Sequence, residues 1–163
     1  MDVIKLINYK NDLKLILILS IICFISSISI QLILEEIPCL LCSITRYGFL
    51  FTSIVCFITL KYMNNNKFII FLPSIFLLLL LILTFYHLGV ENHWWSAPRG
   101  CKTILPTIDD IKSGKIIQNN NIPCDRVNFK VLGVSMTLIS FVISSFLFWL
   151  SSISTVLHLY RNK

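Results

Sequence analysis

The chain has 163 residues, of which 56% are hydrophobic and only 13% charged, with a mean hydropathy of +0.81 and a formal net charge of +6. A soluble domain of this size carries about 25% charged residues, so the composition excludes an ordinary soluble domain and points to one membrane domain. The positive balance does not mark a nucleic-acid binder, because the lysines and arginines are dispersed over loops and ends.

Four apolar stretches follow in chain order, and each approaches the roughly 20 residues needed to cross a bilayer as a helix. The first covers residues 13–34, behind a basic flank of Lys5, Lys10 and Lys14. It is longer than the apolar part of a signal peptide, and no small-x-small cleavage site precedes Glu35 and Glu36, so it reads as a retained helix. A short polar gap over residues 35–43 holds Cys39 and Cys42. The second stretch covers residues 44–62. Asn64, Asn65 and Asn66 form a polar turn, and the third stretch follows over residues 68–88, with Pro73 near its start, where a missing N–H costs least. A long loop over residues 89–130 holds Cys101 and Cys124. The fourth stretch covers residues 131–150, with apolar sequence continuing to Leu159.

Lipid cannot satisfy a free backbone N–H or C=O, so these stretches must be helices. Their uninterrupted Leu, Ile and Phe runs exclude a β-barrel, which needs alternation. The sequence therefore predicts an all-α membrane protein: a four-helix transmembrane bundle over residues 1–163, one integral membrane domain, with a long loop between helices three and four. Within that loop Ile104, Leu105, Ile108 and Ile111 follow helical spacing, as a short amphipathic segment at the membrane surface would. Pro106 and Gly114 leave an irregular loop equally open. Trp94, Trp95 and Tyr86 suit the interfacial aromatic belt.

An even number of spans places both termini on one side, and the two gaps that carry cysteines on the other. Lys5, Lys10, Lys14, Lys61, Lys67, Arg161 and Lys163 face one side; Arg46, Arg99, Lys102, Lys112, Lys115, Arg126 and Lys130 face the other. The count is a tie. The three lysines flanking the first helix, which often dominates topology, and the acidic gap opposite them favour cytoplasmic termini. So does the chemistry, since disulfides persist on the oxidising face of a membrane.

Two cysteine pairs on one side suggest a relay of disulfide exchange. Cys39 and Cys42 stand at the start of the second helix, where unpaired N–H groups and the helix dipole favour a thiolate, the reactive form. Arg46 follows Cys42 by four residues, on the same helix face, where its guanidinium can stabilise the Cys42 thiolate or an oxygen of a bound acceptor. The plainer role for Arg46 is to snorkel to lipid head groups. A zinc site is a rival for the CxxC, with His87 and His93 as further ligands, but Cys101 and Cys124 are too far apart to form a second knuckle. A structural staple across the loop is a rival role for Cys101 and Cys124, worth about 3 kcal/mol by chain entropy. His87 and Glu91, four residues apart, are candidates for a proton shuttle or an ordinary interfacial pair. Cys23 and Cys56 lie in mid-helix and read as packing residues.

The run Pro38-Cys39-Leu40-Leu41-Cys42-Ser43-Ile44-Thr45-Arg46 resembles the signature of the DsbB family of membrane disulfide bond formation proteins. So do Cys101, the run from Pro123-Cys124-Asp125-Arg126 to Gly133-Val134-Ser135-Met136, and His87-Leu88-Gly89-Val90-Glu91 followed by Trp94-Trp95. Thr45 departs from the pattern, which places an acid before the arginine in many members, and the loop is short.

The resemblance implies a thiol:quinone oxidoreductase of the bacterial inner membrane, with the cysteine loops periplasmic. In such proteins a soluble DsbA-like thioredoxin-fold oxidase delivers its dithiol to the loop disulfide at Cys101, and Cys124 then exchanges with the Cys39–Cys42 pair, most directly at Cys39. Cys42 faces ubiquinone or menaquinone from the membrane quinone pool, with Arg46, His87 and Glu91 around it and no metal. The potential of that partner, about −120 mV, lies far above the roughly −300 mV or lower of structural disulfides, so a plain loop disulfide cannot oxidise it without a stronger acceptor. The alternative from a different class is a disulfide-stapled structural or transport membrane protein without redox turnover.

Overall fold

The computed structural model describes residues 9–34, 38–63, 67–98, 124, 130–131 and 133–161. Helix α1 covers Tyr9–Leu34 and α2 covers Leu40–Tyr62. A 3-10 turn at Lys67–Phe71 runs directly into α3, Leu72–Glu91. Two short antiparallel strands, β1 at Lys130–Val131 and β2 at Val134–Ser135, precede α4, Met136–Arg161. Helix α1 packs on α2, α2 on α3, α3 on α4, and α4 closes the ring on α1. Each helix is long and apolar enough to cross a membrane.

The helix boundaries differ from the sequence reading for identifiable reasons. Helix α1 begins four residues earlier than expected and takes in the charged Lys10 and Asp12. Asp12 accepts a hydrogen bond from Ser154 Oγ of α4, which gives the carboxylate a partner inside the bundle end. Helix α2 begins at Leu40, not 44, because Cys39 caps it. Helix α4 begins at Met136, not 131. Gly133, at φ 85°, turns the chain between the two strands in a conformation that disfavours any side chain. Ser135 Oγ then accepts the Leu138 N–H at 3.2 Å, the geometry of a serine N-cap. The amphipathic segment expected at 104–111, most of the loop around it and Cys101 lie outside the described residues.

The centre of the bundle is apolar, built on Leu13, Ile16, Phe49, Leu77, Leu80 and Leu147. Small hydroxyls tie the helices where lipid offers no competing partner. Thr84 and Ser144 join α3 to α4 at 2.9 Å, and Ser74 meets Ser151 at 2.9 Å and Thr155 at 3.2 Å. Gly48 lets α2 approach α3 closely, since a Cβ there would meet Leu80 Cδ1 at 2.6 Å. Outward, large apolar side chains such as Ile25, Ile33, Phe57, Ile82 and Phe146 are exposed. On a soluble protein such a belt would be an aggregation liability; on four membrane-length helices it is the lipid-facing surface.

The end of α3 is fixed by its own aromatic residues. Asn92, His93 and Trp94 return their backbone N–H groups to the carbonyls of Leu88, Val90 and Gly89. Trp95 then folds back, donates its indole N–H to Tyr86 O at 2.8 Å and stacks on the Tyr86 ring at 5.9 Å. Its indole lies against Gly89, where an added Cβ would collide with the ring. This clamp holds the helix segment that carries His87.

Candidate functional site

The site is assembled at the N-terminus of α2. Cys39 is the N-cap: its backbone is extended, and its Sγ accepts the N–H of Cys42 at 3.3 Å. The motif thus uses a sulfur where a cap ordinarily uses a serine or aspartate oxygen. One helical turn brings Cys42 Sγ back to 2.8 Å from Cys39 Sγ. Both are free thiols, and Cys39 is only 3% exposed.

His87 approaches from α3. Its Nε2 lies 3.7 Å from Cys39 Sγ and 3.9 Å from Cys42 Sγ, and the side chain is 4% exposed. The sequence reading set His87 beside Glu91. The structure brings His87 to the sulfurs, while Glu91 closes α3, and among the described residues no hydrogen bond links the two. The Cys39 thiol is pushed far below the ordinary 9.0, to about 5. The hydrogen bond with the Cys42 side chain contributes most. His87 and the Cys42 backbone N–H add to it, while burial opposes them. Of the two thiols, Cys39 is the one whose thiolate form these surroundings favour.

The ligand atoms of Cys39, Cys42 and His87 all lie within 4.8 Å of one another, a set compatible with a metal ion. Among the described residues it offers three ligands, one short of a closed structural zinc site. His93, the other histidine considered from sequence, is not in it; it sits in the turn after α3 at φ 58°.

Cys124 joins the same place from the far end of the chain. It is 2% exposed and belongs to a buried cluster with Cys39, Leu41, Val90 and Ala97, against which Cys42 packs. Cys124 is disulfide-bonded, whereas Cys39 and Cys42 are free. Three of the four cysteines expected to carry the chemistry therefore meet in one buried region. The fourth, Cys101, lies outside the described residues. Cys23 and Cys56 are free, and Cys56 belongs to the core as expected.

Arg46 does not reach for the Cys42 sulfur. Its Nε donates to Ser27 Oγ at 3.0 Å, one terminal nitrogen to Gln31 Oε1 and the other to Ser27 O at 3.4 Å. The guanidinium is thus tethered to α1, beside a cavity of about 380 Å³ lined by all four helices. Cys42, Thr45, Arg46 and His87 are among its polar lining, with the hydroxyls of Ser26, Ser27, Thr137 and Ser140, and Ile22, Ile30, Phe49 and Ile143 are among its apolar walls. Cys23, read from sequence as inert packing, also borders it. Two residues the sequence reading passed over emerge here. Ser27 and Gln31 fix the arginine, and the signal for them was their polarity at four-residue spacing in a largely apolar helix.

The arrangement is a buried dithiol with a histidine near both sulfurs, a third cysteine in the same cluster and a mostly apolar cavity beside it. It suits disulfide exchange. Searches of the curated proteins and of solved structures return no match. The family model described as disulfide bond formation protein DsbB matches residues 11–153, which include parts of all four helices and every cysteine of the chain. The chain belongs to the DsbB family, as a multi-pass membrane oxidoreductase of disulfide bond formation.

Proposed function

We propose that this protein reoxidises a soluble dithiol protein of the DsbA type at the periplasmic face of a bacterial inner membrane and passes the electrons to a membrane quinone. The burial of Cys124 in one cluster with Cys39 carries the reading, since cysteines 85 positions apart in sequence are gathered in one buried region, as exchange between them requires. A staple that only held a loop would not need its sulfur beside a thiolate.

In this reading Cys101 is the other half of the Cys124 disulfide. The partner's thiolate attacks Cys101 Sγ, forms a mixed disulfide and releases Cys124 as thiolate. Cys124 attacks Cys39 Sγ of the oxidised Cys39–Cys42 pair, forming Cys39–Cys124 and releasing the Cys42 thiolate. The partner's second thiolate resolves the mixed disulfide and leaves oxidised, and Cys101 then displaces Cys39 from Cys124. The loop disulfide is restored, and the Cys39–Cys42 dithiol holds the two electrons. His87 stabilises the leaving thiolate at Cys39 and accepts a proton as the pair closes again.

The cavity suits a quinone head group. It is of ligand size and mostly apolar, and Cys42, Arg46 and the buried Thr45 are among the residues that line it. A quinone held there supplies a two-electron, two-proton acceptor for the dithiol. Arg46, fixed by Ser27 and Gln31, would hold it by an oxygen. Cytoplasmic termini follow from the same reading, because the cysteines must face the oxidising compartment.

The test is quinone reduction by the purified protein with a reduced thioredoxin-fold dithiol oxidase as donor. Turnover that requires both a quinone and Cys42 is the expected result. Folded protein that turns over with no quinone, of ubiquinone or menaquinone type, would favour the stapled structural protein. The cluster of Cys39, Cys42 and His87 favours a metal centre as a second reading; stoichiometric zinc in the purified protein, with no dithiol oxidation, would establish that instead.

A further inference from the structure

We propose that Thr45 is a positioning residue for the acceptor, donating its hydroxyl to a carbonyl oxygen of the quinone head group. The proposal rests on the quinone reading above and adds a specific contact to it.

Thr45 is 4% exposed, and its Oγ1 has no hydrogen-bond partner among the described residues. Three other buried hydroxyls of α2 and α3 are satisfied. Thr52, two turns further along the same helix, donates to Gly48 O at 2.9 Å; Ser53 donates to Leu50 O at 2.7 Å; Thr84 on α3 donates to Leu81 O at 3.0 Å. Buried hydroxyls in helices ordinarily use these carbonyls. Thr45 does not, and it lies on the wall of the cavity. An unpaired hydroxyl sealed from water weakens the fold unless something else pairs with it. Ser20 Oγ is also unpaired, but Ser20 does not line this cavity and carries no such argument.

The position defines the chemistry of the partner. Thr45 follows Cys42 by three residues and precedes Phe49 by four, so all three share one face of α2, and Arg46 adjoins them. The face reads from sulfur through hydroxyl to an aromatic wall. Arg46 and Thr45 are both donors there, and the rest of the lining is mostly apolar, with the small hydroxyls of Ser26, Ser27, Thr137 and Ser140 among it. A flat, neutral, carbonyl-bearing ring with an apolar tail matches this order. A carboxylate or phosphate ligand would find the Arg46 guanidinium already committed to α1 and a mostly apolar lining around it. The hydroxyl therefore serves a carbonyl better than an anion.

This role carries a signature of two opposite signs. Replacing Thr45 by the isosteric valine removes an unpaired polar group from the unliganded protein and a hydrogen bond from the liganded one. The experiment uses full-length protein in detergent, with short-tailed benzoquinone and naphthoquinone analogues as probes. Equilibrium dissociation constants are measured by titration calorimetry, and thermal unfolding is followed without quinone. Thr45→Val is expected to bind its preferred analogue about five- to tenfold more weakly and to unfold at the same or a higher temperature when unliganded. Thr45→Ser, which keeps the hydroxyl, is expected to bind within about twofold of wild type. Wild-type affinity in Thr45→Val overturns the proposal while leaving the quinone reading intact. So does a lower unfolding temperature of unliganded Thr45→Val, which would assign the hydroxyl a structural bond. Failure of the wild type to bind either analogue overturns the quinone reading itself.

Discussion

His87 Nε2 lies 3.7 Å from Cys39 Sγ, across 48 residues of sequence. The contact joins the C-terminal end of α3 to the cap of α2, so a histidine from another helix stands against the two sulfurs. The first consequence concerns pH. With its thiol at about 5, Cys39 remains a thiolate through neutrality. Alkylation of the reduced protein at Cys39 is expected to be nearly flat from pH 8 to 6.5 and to fall about tenfold per unit below 5. His87→Ala should move that midpoint upward. An unchanged alkylation profile in the variant would show that His87 does not tune the thiolate.

The same shift links to stability. A thiol near 9.0 in the unfolded chain and about 5 in the folded one binds more protons when unfolded. The thiolate's contribution is therefore full above pH 9, shrinks as pH falls toward 5 and is absent below. The reduced protein should gain thermal stability between pH 5.5 and 8. Cys39→Ser should flatten that gain, which a set of thermal unfolding curves at fixed ionic strength will show.

Cys124 and Cys39 share one buried cluster, which makes a trapped intermediate accessible. In Cys42→Ser the Cys39 thiolate has no resolving partner beside it. Its attack on Cys124 should leave a Cys39–Cys124 disulfide and a free Cys101 thiol. Peptide mapping under non-reducing conditions is expected to find that crosslink in a large share of the protein, and quinone reduction should be lost. Recovery of Cys39 wholly as free thiol would argue against exchange between the two pairs.

Arg46 makes its three hydrogen bonds to Ser27 and Gln31 through a planar fork. Lysine keeps the charge but cannot reproduce that geometry. Arg46→Lys should raise the quinone KM about tenfold, roughly 1.4 kcal/mol, while leaving the rate of Cys39 alkylation near that of wild type. Gln31→Ala should show a smaller rise in the same direction. Equal quinone kinetics in all three proteins would leave Arg46 with a purely structural task.

Gly89 lies under the Trp95 indole, which a Cβ at that position would strike. Gly89→Ala should displace the ring and cost about 1–3 kcal/mol, read as a lower unfolding temperature and an altered near-ultraviolet dichroism of tryptophan. In a Trp95→Ala background the same change should cost much less, because the partner of the clash is gone. Additive losses in the double variant would place the strain elsewhere.

The number of membrane helices was legible in the sequence because hydrocarbon allows an apolar stretch of that length only one backbone solution. The CxxC at a helix start was legible too, since Cys39 and Cys42 follow the polar gap directly and spacing alone puts Cys42 one turn from the cap. Helix ends were less so. Whether α4 began at 131 or 136 depended on the backbone turn at Gly133 and the cap at Ser135, which hydropathy does not register. The site itself needed the packed bundle. That His87 serves the sulfurs and not Glu91, that Arg46 is held by Ser27 and Gln31, and that Thr45 is left unpaired depend on how four helices rotate about their axes. In helices apolar on nearly every face, periodicity carries little information about rotation. Only the fit of one helix against the next decides which side chains meet.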